Sequence, residues 1–329
     1  MLSVVLASQL HAQTPDVVKH AEDFLKTLDK NLKASVSFPY DGNERFNWNF
    51  VPTSRKGVSL SELNESQRTA GLKLIEVSLS NEGFSKASGI LTLEAVLRAV
   101  EGRAENDSYR DPGKYFFSIF GHPSREEIWG WRLEGHHLSL NFSAVGGVIE
   151  ASTPTFMGAN PATIPRGELK EKQTLKLETD LGFELINSMT SSQLATARFS
   201  KVALPEIVSG NSRKAVPLEP RGIFFDDLSP SQKRLLEKLL EVYVGNYQLG
   251  FSSKLRKKIR DAGIGNISFA WAGSLVPGAG HYYRIQGPML LIEFDNTQGH
   301  ANHVHTTVRD LTNDFAEDIL REHYEKEHK

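Results

Sequence analysis

Apolar and polar positions alternate along this chain in two different rhythms, and the rhythms recur in the same order. "LKLIEVSL" (72–79) and "LLEKLLEVYV" (235–244) carry apolar residues at helical spacing. Each follows a helix-start signal, Asn64 or Ser61 in the first case and Ser229-Pro230 in the second. A further helical stretch comes next, "TLEAVLRAV" (92–100) or "SSKLRKKIRDAG" (252–263). Then the rhythm shortens to strands: "KYFFSIFG", "IWGWRLE", "HLSLNF" and "VIEAST" in one half, "ISFAWAG", "HYYRIQ", "MLLIEF" and "HVHTTV" in the other. Helices followed by hairpin-linked strands indicate an α+β fold with antiparallel sheets.

The recurrence extends to individual residues. Arg132 falls on Arg284 at the offset that carries Gly135 onto Gly287 and Phe142 onto Phe294. A larger offset upstream matches Gly57 with Gly222, Leu63 with Leu228 and Gln67 with Gln232, the polar loop "GRAENDSYRDPGK" absorbing the difference. Two collinear matches imply an internal duplication, with each half a helix pair followed by an antiparallel sheet. The expected organisation is a signal peptide over 1–12, a first half over 13–152, a bridge over 153–221 and a second half over 222–329. The bridge combines the turn-rich "GANPATIPRG" with a helix from Leu175 to Met189, and amphipathic helices flank the whole, from Asp16 to Leu32 and from Asp314 to Tyr324.

Composition narrows the partners. The chain has 329 residues, 38 basic and 40 acidic, for a net charge of -2. No single-sign field is available for a nucleic-acid backbone, and no apolar run reaches membrane-spanning length. Cysteine is absent, so a metal would need His, Asp or Glu ligands. "MLSVVLASQLHAQTP" reads as an export signal cut after Ala12, although its basic n-region is missing; a buried N-terminal element is the alternative. A periplasmic or extracellular protein, monomeric or homodimeric, is expected.

The candidate chemistry lies on the hairpins. With a turn at Gly135-His136, Glu134 pairs with His137, Leu133 with Leu138, Arg132 with Ser139 and Trp131 with Leu140. Trp129, Trp131, Leu133, Leu138, Leu140 and Phe142 then form a core face, and Arg132, Glu134, His137, Ser139 and Asn141 a polar one. In the second half His281, Tyr283, Ile285, Leu290, Ile292 and Phe294 share the apolar face, while Tyr282, Arg284, Gln286, Glu293 and Asp295 share the polar one. His303 and His305, two apart on a strand, point the same way. With Glu293 or Asp295 alongside, they suit a divalent metal such as Zn, Fe or Cu. His137 is then a further ligand or a proton-transfer group, oriented by Glu134. Arg132 and Arg284, in equivalent positions, either brace carboxylates or bind an anionic group of the substrate. Trp48 alternates with Phe46 and Phe50 on an expected edge strand. No P-loop, dinucleotide fingerprint, G-x-S-x-G or H-E-x-x-H is present.

"RFNWNFVPTSRKG", "LNESQR", "WGWRLEGHHLSLNF", "GANPA" and "LIEFDNTQGHANHVHTTVRD" together resemble the family catalogued as domain of unknown function number 3500, over roughly Phe24 to Tyr324. The resemblance implies bacterial, often exported proteins and marks "EGHHLSLN" and "FDNTQGHANHVH" as hallmark segments. It brings no established activity, so no catalytic residue follows from it. Three functions stay open: a metal-dependent enzyme acting on a small or oligomeric organic substrate, with hydrolysis ahead of oxidation; a metal-free glycosidase pairing Glu134 with Glu293 or Asp295; and a peptide- or glycan-binding module. All three place the site in a cleft between the polar faces of the two halves.

Overall fold

The computed structural model describes residues 16–318. The expected signal at 1–12 and residues 319–324 of the expected C-terminal helix lie outside them. Helices begin where the sequence offers a cap. Asn64 and Ser229 head Glu65–Ser78 and Pro230–Val244, each in a reciprocal capping box with Gln67 or Gln232. Ser80 caps Asn81–Val100 and Gln248 caps Leu249–Asp261. At the N-terminus the expected single helix is two, Val17–Thr27 and Lys30–Val36, because Asp29 accepts from the Asn31 and Leu32 N–H groups and starts a new one. The bridge helix runs over Lys176–Asn187 and a short one over Ser191–Ala197.

The strands are β1 (Ser37–Phe38), β2 (Val58–Ser59), β3 (Tyr115–Phe120), β4 (Trp129–Gly135), β5 (Leu138–Val145), β6 (Val148–Ala151), β7 (Thr155–Ala159), β8 (Arg198–Ser200), β9 (Ile223–Phe224), β10 (Ser268–Gly273), β11 (His281–Gln286), β12 (Leu290–Thr297) and β13 (His303–Asp310). They form one sheet in the order β1-β3-β4-β5-β7-β13-β12-β11-β10-β8, with β2, β6 and β9 pairing from the side. β1 and β8 pair parallel and the rest antiparallel, which makes the sheet mixed. The fold is therefore α+β, but the polar faces do not oppose each other across a cleft. β7, inside the expected bridge, hydrogen-bonds β5 on one edge and β13 on the other. The two halves thus join edge to edge, and their polar faces lie side by side. Directly paired residues trace that face across the whole sheet: Glu134, Ser139, Phe156, Thr307, Glu293 and Arg284.

The opposite face carries the core. Trp129, Trp131, Leu133, Leu140, Phe269, Tyr283, Ile285, Ile292 and Phe294 are buried there with the apolar sides of the helices. Trp131 stacks between Trp129 and Phe142, at ring separations of 4.6 and 5.0 Å. The polar face is roofed by chain without regular strands. Residues 47–50 are not the expected edge strand; Trp48 and Phe50 fold down with Phe156, Ile207 and Phe315 into a second, small core. Residues 314–316 form a 3-10 turn beneath the same roof, with Phe315 and Ala316 at positive φ.

His281 belongs to the main core. It stacks on Trp271 at 5.3 Å and lies against Phe183, and only its Nδ1 is paired, to the Ala279 carbonyl. Burial disfavours the charged ring and lowers its pKa to about 4. The unfolded chain binds a proton between about pH 6.5 and 4 that the folded protein refuses, so stability is lost as pH falls through this window. Urea titrations of His281→Phe are expected to lack that loss, which reaches about 3 kcal/mol near pH 4. An acid-side decline as steep in His281→Phe as in the parent would refute the assignment.

Candidate metal centre

The β4–β5 hairpin turns one residue later than expected. Gly135 pairs with Leu138, so His136 and His137 are the two apex residues, and His137, the second of them, takes a left-handed φ of 63°. The faces keep their parity, but Glu134 now pairs with Ser139 rather than His137. The apex is held from both sides. The His137 N–H donates to the Phe50 carbonyl at 2.9 Å, and the His137 carbonyl accepts from the Gly158 N–H at 2.8 Å. Gly158 has to be glycine: a Cβ there would stand 2.9 Å from the Val304 carbonyl oxygen and 3.1 Å from the His137 ring.

β13 supplies the other half of the cluster. Its antiparallel register with β7 sets His305 opposite Gly158, beside the hairpin apex. Asn296 accepts from the His303 N–H at 3.0 Å and fixes the strand's first residue. Asn302 ties the preceding turn to Thr163 and so to the end of "GANPAT". The result is a meeting of three imidazoles. His303 Nε2 lies 2.7 Å from His137 Nε2 and 3.1 Å from His305 Nε2, and all three nitrogens fall within 4.8 Å of one another.

Proton accounting favours a shared cation. His305 Nδ1 stands 2.6 and 2.7 Å from the Glu206 carboxylate oxygens, so Nδ1 carries a proton and Nε2 is the nitrogen turned toward the other two rings. Burial, reinforced by neighbouring imidazoles, lowers the pKa of His303 to about 3 and pushes that of His137 well below the usual imidazole range. With its ring neutral, His303 Nε2 can give one proton or accept one, yet it faces two nitrogens at contact distance. A divalent ion removes the conflict. At metal–nitrogen lengths of about 2.1 Å, ligands at right angles lie about 3.0 Å apart, within a few tenths of an ångström of the 2.7 and 3.1 Å seen, whereas tetrahedral ones at about 3.4 Å would need the His137 and His303 nitrogens to move apart.

The expected acids are placed differently from one another. Asp295 lies on the neighbouring strand opposite His305; with Glu206 and His305 it forms a second group within 4.8 Å, and burial raises its carboxyl to about 7. Glu293 is not brought to the histidines. Its oxygens accept from the Val208 and Ser209 N–H groups and the Tyr282 hydroxyl, which pins the loop that carries Glu206. Glu134 does not orient His137; it accepts from Arg55 Nε at 2.9 Å, the Asn49 N–H at 2.9 Å and Ser139 at 3.1 Å. Arg132 and Arg284 both brace roof chain from below. Arg132 donates to the Glu44 carboxylate and to the Glu44 and Asn47 carbonyls, and Arg284 to the Pro220 carbonyl. His136 turns away from the cluster to Glu94, at 2.7 Å, while its ring stacks on His137 at 3.7 Å. Sequence reasoning missed Glu206, a lone acid after Pro205 in an irregular loop, where no periodicity predicts the direction of a side chain.

The sequence model of the family described as "Protein of unknown function (DUF3500)" matches residues 11–317, and the chain belongs to that family. None of the curated proteins and none of the solved structures matches it. Three of the segments that carried the resemblance, "EGHH", "GANPA" and "DNTQGHANHVH", are the ones that meet at the histidine cluster.

Arg55 and Glu134 form a buried pair, with side chains 5% and 3% exposed, and Arg55 also donates to the Asn49, Val51 and Gly135 carbonyls. Arg55→Ala leaves the buried carboxylate with only the longer contact to Arg132 Nε, at 3.6 Å, as a charged partner, so a loss of about 3 kcal/mol is expected in denaturant titrations. Arg55→Met combined with Glu134→Leu removes both charges and is expected to recover much of it. A double variant as unstable as the sum of its singles would show that the pair does not hold the loop.

Proposed function

We propose that this member of the family is a metal-dependent enzyme whose divalent ion, of the zinc, iron or copper class, is held by His137, His303 and His305. The observation that carries the reading is the convergence of three imidazole nitrogens, two of them from buried histidines and one from a half-buried one, with a carboxylate behind His305. Glu206 holds the His305 Nδ1–H, the usual partner of a ligating histidine, which fixes the tautomer and the ring angle. A bound divalent ion supplies an acidified water or a polarised substrate oxygen. Three neutral imidazoles leave the ion's charge uncompensated, which acidifies a bound water more than a set containing a carboxylate does, so hydrolysis stands ahead of oxidation. Asp295, buried beside Glu206, is available as a further ligand or as a proton store.

The reading of Glu134 with Glu293 or Asp295 as a glycosidase acid and base is disfavoured, since the oxygens of Glu134 and Glu293 are taken up by roof N–H groups and side chains, and Asp295 accepts from Thr297 and lies beside Glu206 and His305. Two further elements belong to the same proposal. The halves descend from one duplicated unit, supported by the matching capping boxes at Gln67 and Gln232 and by the repeated order of helix pair and antiparallel strands. The protein acts outside the cytoplasm, an expectation that rests on its first residues alone.

Elemental analysis of purified protein is expected to find about one Zn, Fe or Cu per chain, removed by a strong chelator and restored on reloading. The variant combining His303→Ala with His305→Ala should retain none. Protein that stays metal-free after exposure to each of these ions, or a double variant that keeps its metal, would sink the proposal. Glu206→Gln preserves the shape but not the charge behind His305, and a loss of about 10–100-fold in metal affinity is expected in competition titrations with a chromophoric chelator. Unchanged affinity would remove Glu206 from the centre.

A further inference from the structure

The end of the sheet that carries the cluster also holds a pocket of about 440 Å³, on the far side of His136 from the histidine trio. Ser54, Arg55, Glu94, Tyr109, Lys114 and His136 are among its walls. The size is that of a small-molecule site. We infer that this pocket binds a neutral polyhydroxylated molecule, a mono- or disaccharide.

The charge state of the walls carries the argument. Arg55 is paired with Glu134 at 2.9 Å. Glu94 holds His136 Nδ1 at 2.7 Å and Arg110 at 3.5 Å, and Arg110 is in turn bound to Glu101 at 2.6 Å. The Lys114 ammonium donates to the Ser108 carbonyl. The Asp111 carboxylate, also in the wall, accepts from the Gly113 N–H and the Ser61 hydroxyl, and Lys114 is exposed to water. A charged ligand seated against Arg55, Glu94 or His136 would have to break an ion pair that is largely withdrawn from water, at a large cost. A neutral ligand rich in hydroxyls avoids that cost, because each hydroxyl both donates and accepts and can use the lone pairs and N–H groups that the pairs leave spare. With Nδ1 committed to Glu94, His136 Nε2 has no hydrogen-bond partner among the described residues, and a hydroxyl would satisfy it.

The second requirement of a sugar ring is a flat apolar surface for its C–H face. Tyr109 supplies it, a large aromatic left 51% exposed at the pocket wall. Its ring is held in place by the Arg110 guanidinium at 4.6 Å and the Arg103 guanidinium at 5.0 Å, so the platform is set before a ligand arrives. The pocket adjoins the cluster through one side chain: the His136 ring lies against His137 at 3.7 Å. The His136 ring thus stands between a saccharide seated in the pocket and the histidine cluster.

Saturation-transfer NMR and calorimetry with glucose, maltose, cellobiose and xylobiose, and with glucuronate as the charged comparison, test the inference on protein as purified and after chelation. At least one neutral sugar is expected to bind with a millimolar or tighter Kd. Tyr109→Ala should weaken it about tenfold, while Tyr109→Phe keeps the stacking face and binds like the parent; neither changes metal content. Failure of all the neutral sugars, a preference for glucuronate, or a Tyr109→Ala variant that binds like the parent overturns the pocket assignment. Sugar binding by a protein that takes up no metal upholds the pocket and ends the enzyme reading; metal uptake without sugar binding does the reverse.

Discussion

Everything at the histidine cluster depends on the pairing of β7 with β13. Those two strands close the gap between the sheets of the two halves, and their register sets His305 opposite Gly158. Side chains alternate along a strand, so a slip by one residue would send His303 and His305 to the helix-covered face and bring Val304 and Thr306 to the polar one. Gly158 makes the approach possible by leaving the volume of a methyl group for the His137 ring. A backbone ladder that many hydrogen bonds hold in register therefore does the work of bringing together residues far apart in the chain.

The acids singled out in the sequence work one step back from the chemistry. Glu134 fixes residues 49–55, and through Phe50 that segment holds the His137 N–H. Glu293 fixes Val208 and Ser209, in the loop that brings Glu206 to His305. Both carboxylates are buried, as are Arg132, Arg284 and Arg309, and each is answered by groups of the roofing chain. Buried charges of this kind add little net stability, but they make any other path for the roof costly, since a displaced loop would strand them without partners. The polar face is in this sense a template on which irregular chain is laid.

Much of this was legible in the residues. Helix starts followed from side-chain caps, and the two faces of every hairpin followed from alternation, which is why the core set of Trp129, Trp131 and Leu133 and the shared direction of His303 and His305 were readable in advance. The hairpin apex lies one residue beyond where Gly135, which looks like a turn glycine, predicts it: the turn takes His137 at positive φ and closes on Gly135 and Leu138. The docking of the halves was not readable, because β7 sits in a stretch whose glycine and proline content signals a loop. Trp48 looked like a strand residue for a related reason: alternation says which residues are buried, and not whether the backbone beneath them joins a ladder. Glu206 left no trace at all, since a side chain in an irregular loop is aimed by tertiary contacts alone.

The cluster draws one nitrogen from the middle of the chain and two from β13, with His137 and His303 separated by 166 residues. During synthesis the hairpin apex emerges early and must wait, incomplete, until β13 leaves the ribosome and adds itself to the far edge of β7. The centre is thus a completion signal: a chain cut short anywhere before β13 lacks two of its three imidazoles, whatever else it has managed to fold. An ion that ties the apex to this late-made strand would act as a clasp across the middle of the sheet, strengthening a closure that spans 166 residues of chain.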